Sequence, residues 1–299
     1  MIDFTDMPIR KKAYAGANGG KIAVMYEGEQ YMLKFPPHPK RNKEMSYTHS
    51  CISEYLGSHI FDIVGIPVQQ TLLGIYRVNG KEKVVVACKD FTTYETVLQD
   101  FASLKNTLID SGHSGYGTEL SEIIEAIEEQ RFIDPVTLRE HFWDMFIVDA
   151  LIGNWDRHNG NWGFLYNNRS DEISIAPIYD CGSCLYPQAD DTVMEMTLND
   201  PAEMDFRIFE IPVSGIRMNG EKIRYFDFIS SLQNRDCNAA LERIVPRIDM
   251  QRIAALVNDT PYASDLQKLF YLTMLKERKE KILDKSLSLL RRQKQTQGH

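Results

Sequence analysis

Asp156, His158 and Asn161 lie in a stretch dense in glycine and asparagine, Gly153-Asn154-Trp155-Asp156-Arg157-His158-Asn159-Gly160-Asn161-Trp162-Gly163-Phe164. A further carboxylate, Asp180, follows 24 positions after Asp156. Glycine and asparagine at this density bend the backbone, so these polar groups are offered from a loop. A carboxylate, an Asn five positions on and a second carboxylate beyond a hairpin make up a residue set for phosphoryl transfer. The first Asp accepts a hydroxyl proton, and the Asn and the second Asp hold Mg²⁺ on the phosphates. The competing reading is structural. Asp and Asn also cap helices and brace turns, and a lone D-x-x-x-x-N recurs by chance.

Such a loop needs a helix before it and a hairpin after it. The apolar run 142–152 reads as the buried end of a helix over 135–152. The alternating segments 161–166 and 172–175 read as a β-hairpin turning at Asn167-Asn168-Arg169-Ser170, with Asp180 after its second strand.

Upstream residues supply what phosphates would need. Gly16, Ala17, Asn18, Gly19, Gly20 and Lys21 form a small-residue turn at the edge of a strand over 22–26. Without a Cβ, glycine lets backbone N–H groups approach phosphate oxygens, although a plain loop has the same composition. The pattern is not G-x-x-x-x-G-K-[ST], which argues against a Walker-type ATPase. The chain turns at Glu27-Gly28-Glu29 and returns over 30–35, where Lys34 sits among apolar neighbours. A lysine on a half-buried strand needs a partner. A helix over 46–64, with apolar Ile52, Tyr55, Leu56, Ile60 and Ile63 at helical spacing, offers Glu54. Lys34 and Glu54 would then pair to hold nucleotide phosphates, unless Glu54 faces solvent. The basic run His38, Lys40, Arg41 and Lys43 either meets phosphates or is simply solvated.

Strands over 67–76 and 83–88 join through Asn79-Gly80, a hairpin signal, and lead into Lys89-Asp90-Phe91-Thr92-Thr93. Strand character is expected to stop there, at a connector whose backbone meets an adenine edge and whose Asp90 takes ribose hydroxyls. Helices are expected over 103–109, 119–130, 135–152, 201–211, 225–232, 239–245, 250–257 and 263–292. The expected fold class is α+β, with a small β-rich N-lobe over 1–91 (an antiparallel sheet plus one helix) and a larger, mostly helical C-lobe over 92–299. The nucleotide cleft falls between them.

The formal net charge of −8 argues against a general nucleic-acid binder, which needs a basic face. No apolar run is long enough for a transmembrane helix, and the first residues lack a secretory pattern. The expected compartment is therefore the cytoplasm, with export independent of a signal peptide left open. Five cysteines suit a reducing compartment. Cys181-Gly182-Ser183-Cys184 has redox or metal spacing but no second ligand pair, so two small turn residues are the simpler reading.

The run from Asp156 through His158 and Asn161, followed by Ala176-Pro177-Ile178-Tyr179-Asp180, resembles the HipA-like serine/threonine kinases, the toxin kinases of bacterial toxin–antitoxin systems. Ala15-Gly16-Ala17-Asn18, Tyr31-Met32-Leu33-Lys34-Phe35-Pro36, Ser53-Glu54-Tyr55-Leu56 and Gly65-Ile66-Pro67-Val68 are similar too. The resemblance covers residues 13–185 and is nearest a compact branch of the family. It implies a bilobal protein-kinase-like fold, ATP and Mg²⁺ as cofactors, and a protein substrate with a Ser or Thr acceptor. Asp156 would be the base, with His158 supporting the loop. Asn161 and Asp180 would bind metal, Lys34 the phosphates and residues 16–21 the phosphate loop. The backbone of Ala87 to Lys89 would take adenine, and Asp90 ribose. Glu44 competes with Glu54 for the helix position.

There are departures. The longer toxin kinases open with a subdomain that has no counterpart here, and Ala13 stands where they carry a regulatory serine. An antitoxin or other regulator is a further expected partner, with no direct nucleic-acid contact and no membrane. The rival functions are a small-molecule kinase of aminoglycoside or lipid type and a pseudokinase interaction module.

Overall fold

The computed structural model describes residues 2–14, 20–37, 48–108 and 115–297, with residue 297 described by its backbone alone. Gly16, Ala17, Asn18 and Gly19 of the expected phosphate loop, the alternative Glu44 and the basic run 38–43 lie outside the described residues.

β1 (Ile2–Asp3), β2 (Ile9–Arg10), β3 (Lys21–Tyr26), β4 (Glu29–Lys34), β5 (Thr71–Val78) and β6 (Lys81–Lys89) form one sheet, in the order β1-β5-β6-β4-β3-β2. Its neighbours run antiparallel except β1, which is parallel to β5. Side chains alternate across a sheet, and here the alternation separates two clusters. Phe4, Val24, Tyr31, Leu33, Val85 and Ala87 pack on one face. Leu73, Val86 and Cys88 pack on the other with Cys51, from α1 (Ser50–Val64). Lys34 pairs in register with Val86, so its side chain points to the face that α1 covers.

The rest of the chain is mainly helical. α2 (Phe101–Leu108) and α3 (Leu120–Glu129) precede α4 (Pro135–Ile152). α4 is apolar around most of its circumference because other elements enclose it; Phe142, Trp143, Phe146, Ile147, Val148 and Leu151 are all buried. Asp134 caps it by accepting the Thr137 N–H, and Gly153 ends it in the left-handed region at φ 64°. α5 (Asp191–Asn199), α6 (Pro201–Phe209), α7 (Tyr225–Ser231), α8 (Arg235–Ile244), α9 (Met250–Asp259) and α10 (Asp265–Arg278) follow. A π-helical segment, Lys279–Asp284, joins α10 to α11 (Lys285–Gln297). The core of this part is contiguous and takes in Ile52, Leu56, Ile60 and Phe61 of α1, so that helix seats the sheet on the helical part.

Four local differences from the sequence expectations have physical reasons. Strand character does not stop at the connector. β7 (Thr96–Asp100) pairs with β8 (Gly163–Asn167), filling the open edge of the hairpin that β8 makes with β9 (Glu172–Ile175). Helix α1 begins at Ser50, after a turn at Thr48 and His49. α5 was not expected. Its start is fixed by Asp190, which accepts the Val193 N–H, a local cap in a stretch of weak apolar periodicity. A short hairpin of β10 (Arg217–Met218) and β11 (Glu221–Lys222) turns at Asn219-Gly220, the same signal that marks β5 and β6.

Candidate active site

The loop after α4 is held from behind by one buried cation. Arg157 donates from Nε to Asp149 Oδ2 at 2.9 Å and from Nη2 to Asp149 Oδ1 at 3.2 Å. Its Nη1 donates to the backbone oxygens of Asn161, at 2.8 Å, and Tyr179, at 2.6 Å. One guanidinium thus joins α4, the loop and the segment ahead of Asp180. Asn154 continues the brace, donating to Asp149 Oδ1 and accepting the Asp156 N–H. Asn159 is fully buried and donates to the carbonyls of Gly115 and Gly117. His158 accepts the Gly160 N–H through Nδ1 at 3.0 Å, so a neutral ring carries its proton on Nε2.

With the backbone fixed, the polar side chains of the loop differ in exposure, and Asn161 is buried. The Asp156 side chain is exposed. Partial desolvation raises its pKa and the Asp180 charge adds to this, against His158, Lys222 and Arg157, which lower it. Asn161 donates from Nδ2 to the Asp156 carbonyl at 2.8 Å, which puts its Oδ1 on the far side of the amide. Asp180 holds the left-handed conformation at φ 57°, costly for a residue with a Cβ and the kind of strain found at functional positions.

Lys34 binds both Glu54 Oε2, at 2.8 Å, and Asp180 Oδ1, at 3.0 Å. Burial alone would lower the lysine pKa, but Asp180 and Glu54 together raise it well above its ordinary value. Lys34 in turn holds Asp180 down to about 2. The other Glu54 oxygen accepts the Cys181 N–H at 3.0 Å, which ties α1 to the residue after Asp180. The expected ion pair therefore forms, and Glu54 does not face solvent. Lys21 pairs in register with Lys34, and its pKa is lowered by burial and by the Lys34 charge. Gly20 accepts the Phe35 N–H, next to both lysines.

The connector is more committed than the sequence suggests. Lys89 uses its N–H on Gln70 and its carbonyl on the Gln69 side chain, and Ala87 lies within the sheet ladder between Leu33 and Leu72. Asp90 accepts from Lys12 at 2.6 Å, Tyr14 at 2.7 Å, Gln30 at 2.8 Å and both the N–H and hydroxyl of Thr92. Burial opposes ionisation there, yet the bonds from Lys12, Thr92 and Tyr14 bring its pKa down to about 2. The expected ribose acceptor thus already anchors the chain segment leading to the small-residue loop.

No cluster of three or more His, Cys, Asp or Glu suited to a metal occurs among the described residues. Mg²⁺ does not need one, because it takes one or two protein oxygens and completes its shell with phosphates and water. The Asp180 carboxylate and the Asn161 amide oxygen are hard donors of that kind and fit it. All five cysteines are free and buried. Burial pushes the Cys181 thiol up to about 12, which leaves it inert as a nucleophile. The C-x-x-C pair is small for a packing reason: a Cβ on Gly57 of α1 would lie 2.8 Å from Cys181 Cβ and 2.9 Å from Cys184 Sγ.

Arg157, Lys12, Tyr14 and Lys222 carry no local sequence signal of the contacts they make. Asp149 carried a signal, a carboxylate inside the apolar run Phe146-Ile147-Val148-Asp149-Ala150-Leu151-Ile152, where only a buried partner makes it tolerable.

The HipA-like C-terminal domain family matches residues 9–252. The chain is 53% identical over 285 residues to a serine/threonine-protein kinase, CtkA, of Helicobacter pylori, covering 95% of this chain and 86% of that one. The crystal structure of the Helicobacter pylori proinflammatory kinase CtkA superposes with a TM-score of 0.91 at 49% identity, over 97% of this chain and 98% of that one. HipA from Shewanella oneidensis, solved with HipB and operator DNA, gives a TM-score of 0.55 at 14% identity over 93% of this chain and 68% of that one, a likeness of fold alone.

Proposed function

The chain belongs to the HipA-like C-terminal domain family, and on that premise we propose that it is an ATP-dependent serine/threonine protein kinase. The observation that carries the reading is Lys34, which joins Glu54 of α1 to Asp180 beside the braced loop of Asp156 and Asn161. Lys34 neutralises phosphate charge, and Glu54 fixes where its ammonium sits. Asp156 orients the acceptor hydroxyl and takes its proton as the bond to the γ-phosphorus forms and the bond to the bridging oxygen of the departing ADP breaks. Asn161 and Asp180 would hold Mg²⁺, which when bound offsets phosphate charge. His158 supports the loop through its bond to Gly160.

Residues 1–91 form the nucleotide lobe in this reading and 92–299 the acceptor lobe, with residues 16–21 over the phosphates. The adenine edge meets connector backbone beyond Asp90, at Phe91, because the Lys89 groups are taken. Ribose reaches Asp90 only by displacing one of its present donors. The partner is a protein bearing a Ser or Thr acceptor. The HipB and operator DNA of the Shewanella complex belong to that protein, and a net charge of −8 disfavours direct DNA contact here. No described helix is long and apolar enough to cross a membrane.

The test is transfer of γ-labelled phosphate from ATP with Mg²⁺, to the protein itself and to a generic basic protein. Label recovered as phosphoserine or phosphothreonine is expected. Mg²⁺–ATP binding without transfer to any protein would overturn the reading in favour of a small-molecule kinase or an interaction module.

A further inference from the structure

A cavity of about 490 Å³ opens beside the loop that carries Asp156. Trp155, Val193, Ile211, Pro212, Val213 and Lys222 are among its lining, and every lining residue comes from position 155 or from 186–222. None belongs to the sheet or to α1, so the cavity lies on the acceptor side of the loop and not in the nucleotide cleft. Its walls are mainly apolar. Lys222, on β11, is exposed, and its side chain makes no hydrogen bond or ion pair with another described residue. The other cation of the lining, Arg207, is paired with Glu203, and Asp190 is used in capping α5. Lys222 is therefore the cation of the lining that has no ion-pair partner among the described residues, while the Asp190 carboxylate faces the start of α5.

An acceptor hydroxyl must come within about 3 Å of the Asp156 carboxylate. An extended chain advances about 3.3 Å per residue, so residues two or three positions from the acceptor lie roughly 7–10 Å along the surface. Trp155, next to Asp156 in the chain, and Lys222 both line the cavity. Lys222 is near enough for its charge to act on the Asp156 carboxylate.

We propose that this cavity is the docking site for the acceptor protein, taking a bulky apolar side chain close in sequence to the phosphorylated Ser or Thr while Lys222 pairs with an acidic residue beside it. The volume suits one large side chain with adjoining backbone. Val213 and Pro212 lead into Gly215, where a Cβ would lie 3.0 Å from the Arg157 carbonyl oxygen. The groove wall thus rests on the backbone of the catalytic loop, and an occupant of the groove is held in fixed register with Asp156. This inference rests on the kinase reading above and adds substrate selection to it.

The experiment is phosphorylation of a positional-scanning library of Ser- and Thr-centred peptides by the full chain and by Val193→Arg and Lys222→Glu, with Mg²⁺–ATP binding and thermal unfolding recorded for each protein. The wild type should select Leu, Ile, Met or Phe at one flanking position and Asp or Glu at another. Val193→Arg, which fills the cavity, should weaken the apolar preference by about tenfold or more. Lys222→Glu should turn the acidic preference into a basic one, an inversion that a merely structural role would not produce. Phosphorylation with no flanking preference, or with preferences unchanged in both variants, would overturn the groove and leave the kinase reading standing. Mg²⁺–ATP binding by the wild type with no peptide phosphorylated would overturn the kinase reading, and the groove with it.

Discussion

Arg157 meets Asp149 through two hydrogen bonds, at 2.9 and 3.2 Å, with each side chain no more than 2% exposed. The pair lies behind the loop that carries Asp156 and Asn161, the catalytic loop of the proposed reading, and fixes its backbone. The same guanidinium also binds the carbonyls of Asn161 and Tyr179. Removing it would leave Asp149 charged and buried and two carbonyls without a donor. Arg157→Met is therefore expected to destabilise the fold by about 3–5 kcal/mol in urea unfolding, the cost of breaking a buried pair from one side. A loss below about 1 kcal/mol would show that the loop does not depend on this brace.

Gly182 is small so that Glu54 can reach Lys34. A Cβ there would stand 2.9 Å from Glu54 Oε2. Gly182→Ala should displace the glutamate, loosen Lys34 and weaken Mg²⁺–ATP binding about tenfold, or about 1.4 kcal/mol. Titration calorimetry reads the change, and circular dichroism checks that the fold persists. Unaltered affinity would separate the Glu54 contact from nucleotide binding.

Asp90 ties Lys12 and Tyr14 to the end of β6. Asp90→Ala releases both, so amide hydrogens near residues 11–14 should exchange faster while those of α4 do not. Equal exchange in both proteins would show that other contacts hold the segment.

Two carboxylates of the site are pushed in opposite directions, and the signs give a pH profile. Asp156 is raised above the ordinary 3.8, so a base of this kind becomes active only as pH climbs past that value. Asp180, held at about 2, is already ionised and does not limit the acid side. For stability the directions reverse. The depressed Asp180 contributes above about 3.8, and that contribution is lost as pH falls towards 2. The raised Lys34 contributes below 10.5 and loses its contribution only above its elevated value. Ionised Asp156 instead opposes folding above 3.8, so Asp156→Asn should melt slightly higher than wild type at pH 7. A lower melting temperature would mean that the carboxylate braces the loop rather than being held in it under strain.

Much of the cleft was legible in the sequence because its chemistry restricts residue type. A lysine in the apolar strand run Tyr31-Met32-Leu33-Lys34-Phe35 demands a counter-charge, and helical spacing put Glu54 within reach. The hairpin of β8 and β9 followed from alternation and an Asn-rich turn. Contacts whose partners are remote and locally unremarkable were not legible. Lys12 and Tyr14 lie 78 and 76 positions before Asp90, and nothing in either neighbourhood announces the meeting. β7 was hidden for the opposite reason: Val97 and Leu98 remain partly exposed, so its alternation is shallow and pairing with β8 decides its conformation. Lys222 reads as an ordinary charge in a polar hairpin until the fold brings it beside Trp155.

In the proposed reading labour is divided, with Asp156 acting in the chemical step and Asp180 in holding the metal–nucleotide complex. The most direct test measures Mg²⁺–ATP binding and γ-phosphate transfer side by side for wild type, Asp156→Ala and Asp180→Ala. Asp156→Ala should bind Mg²⁺–ATP nearly as wild type does and transfer phosphate slower by about two to four orders of magnitude. Asp180→Ala should lose the metal-dependent binding itself. Wild-type transfer by Asp156→Ala, or wild-type Mg²⁺–ATP affinity in Asp180→Ala, would rule out this division.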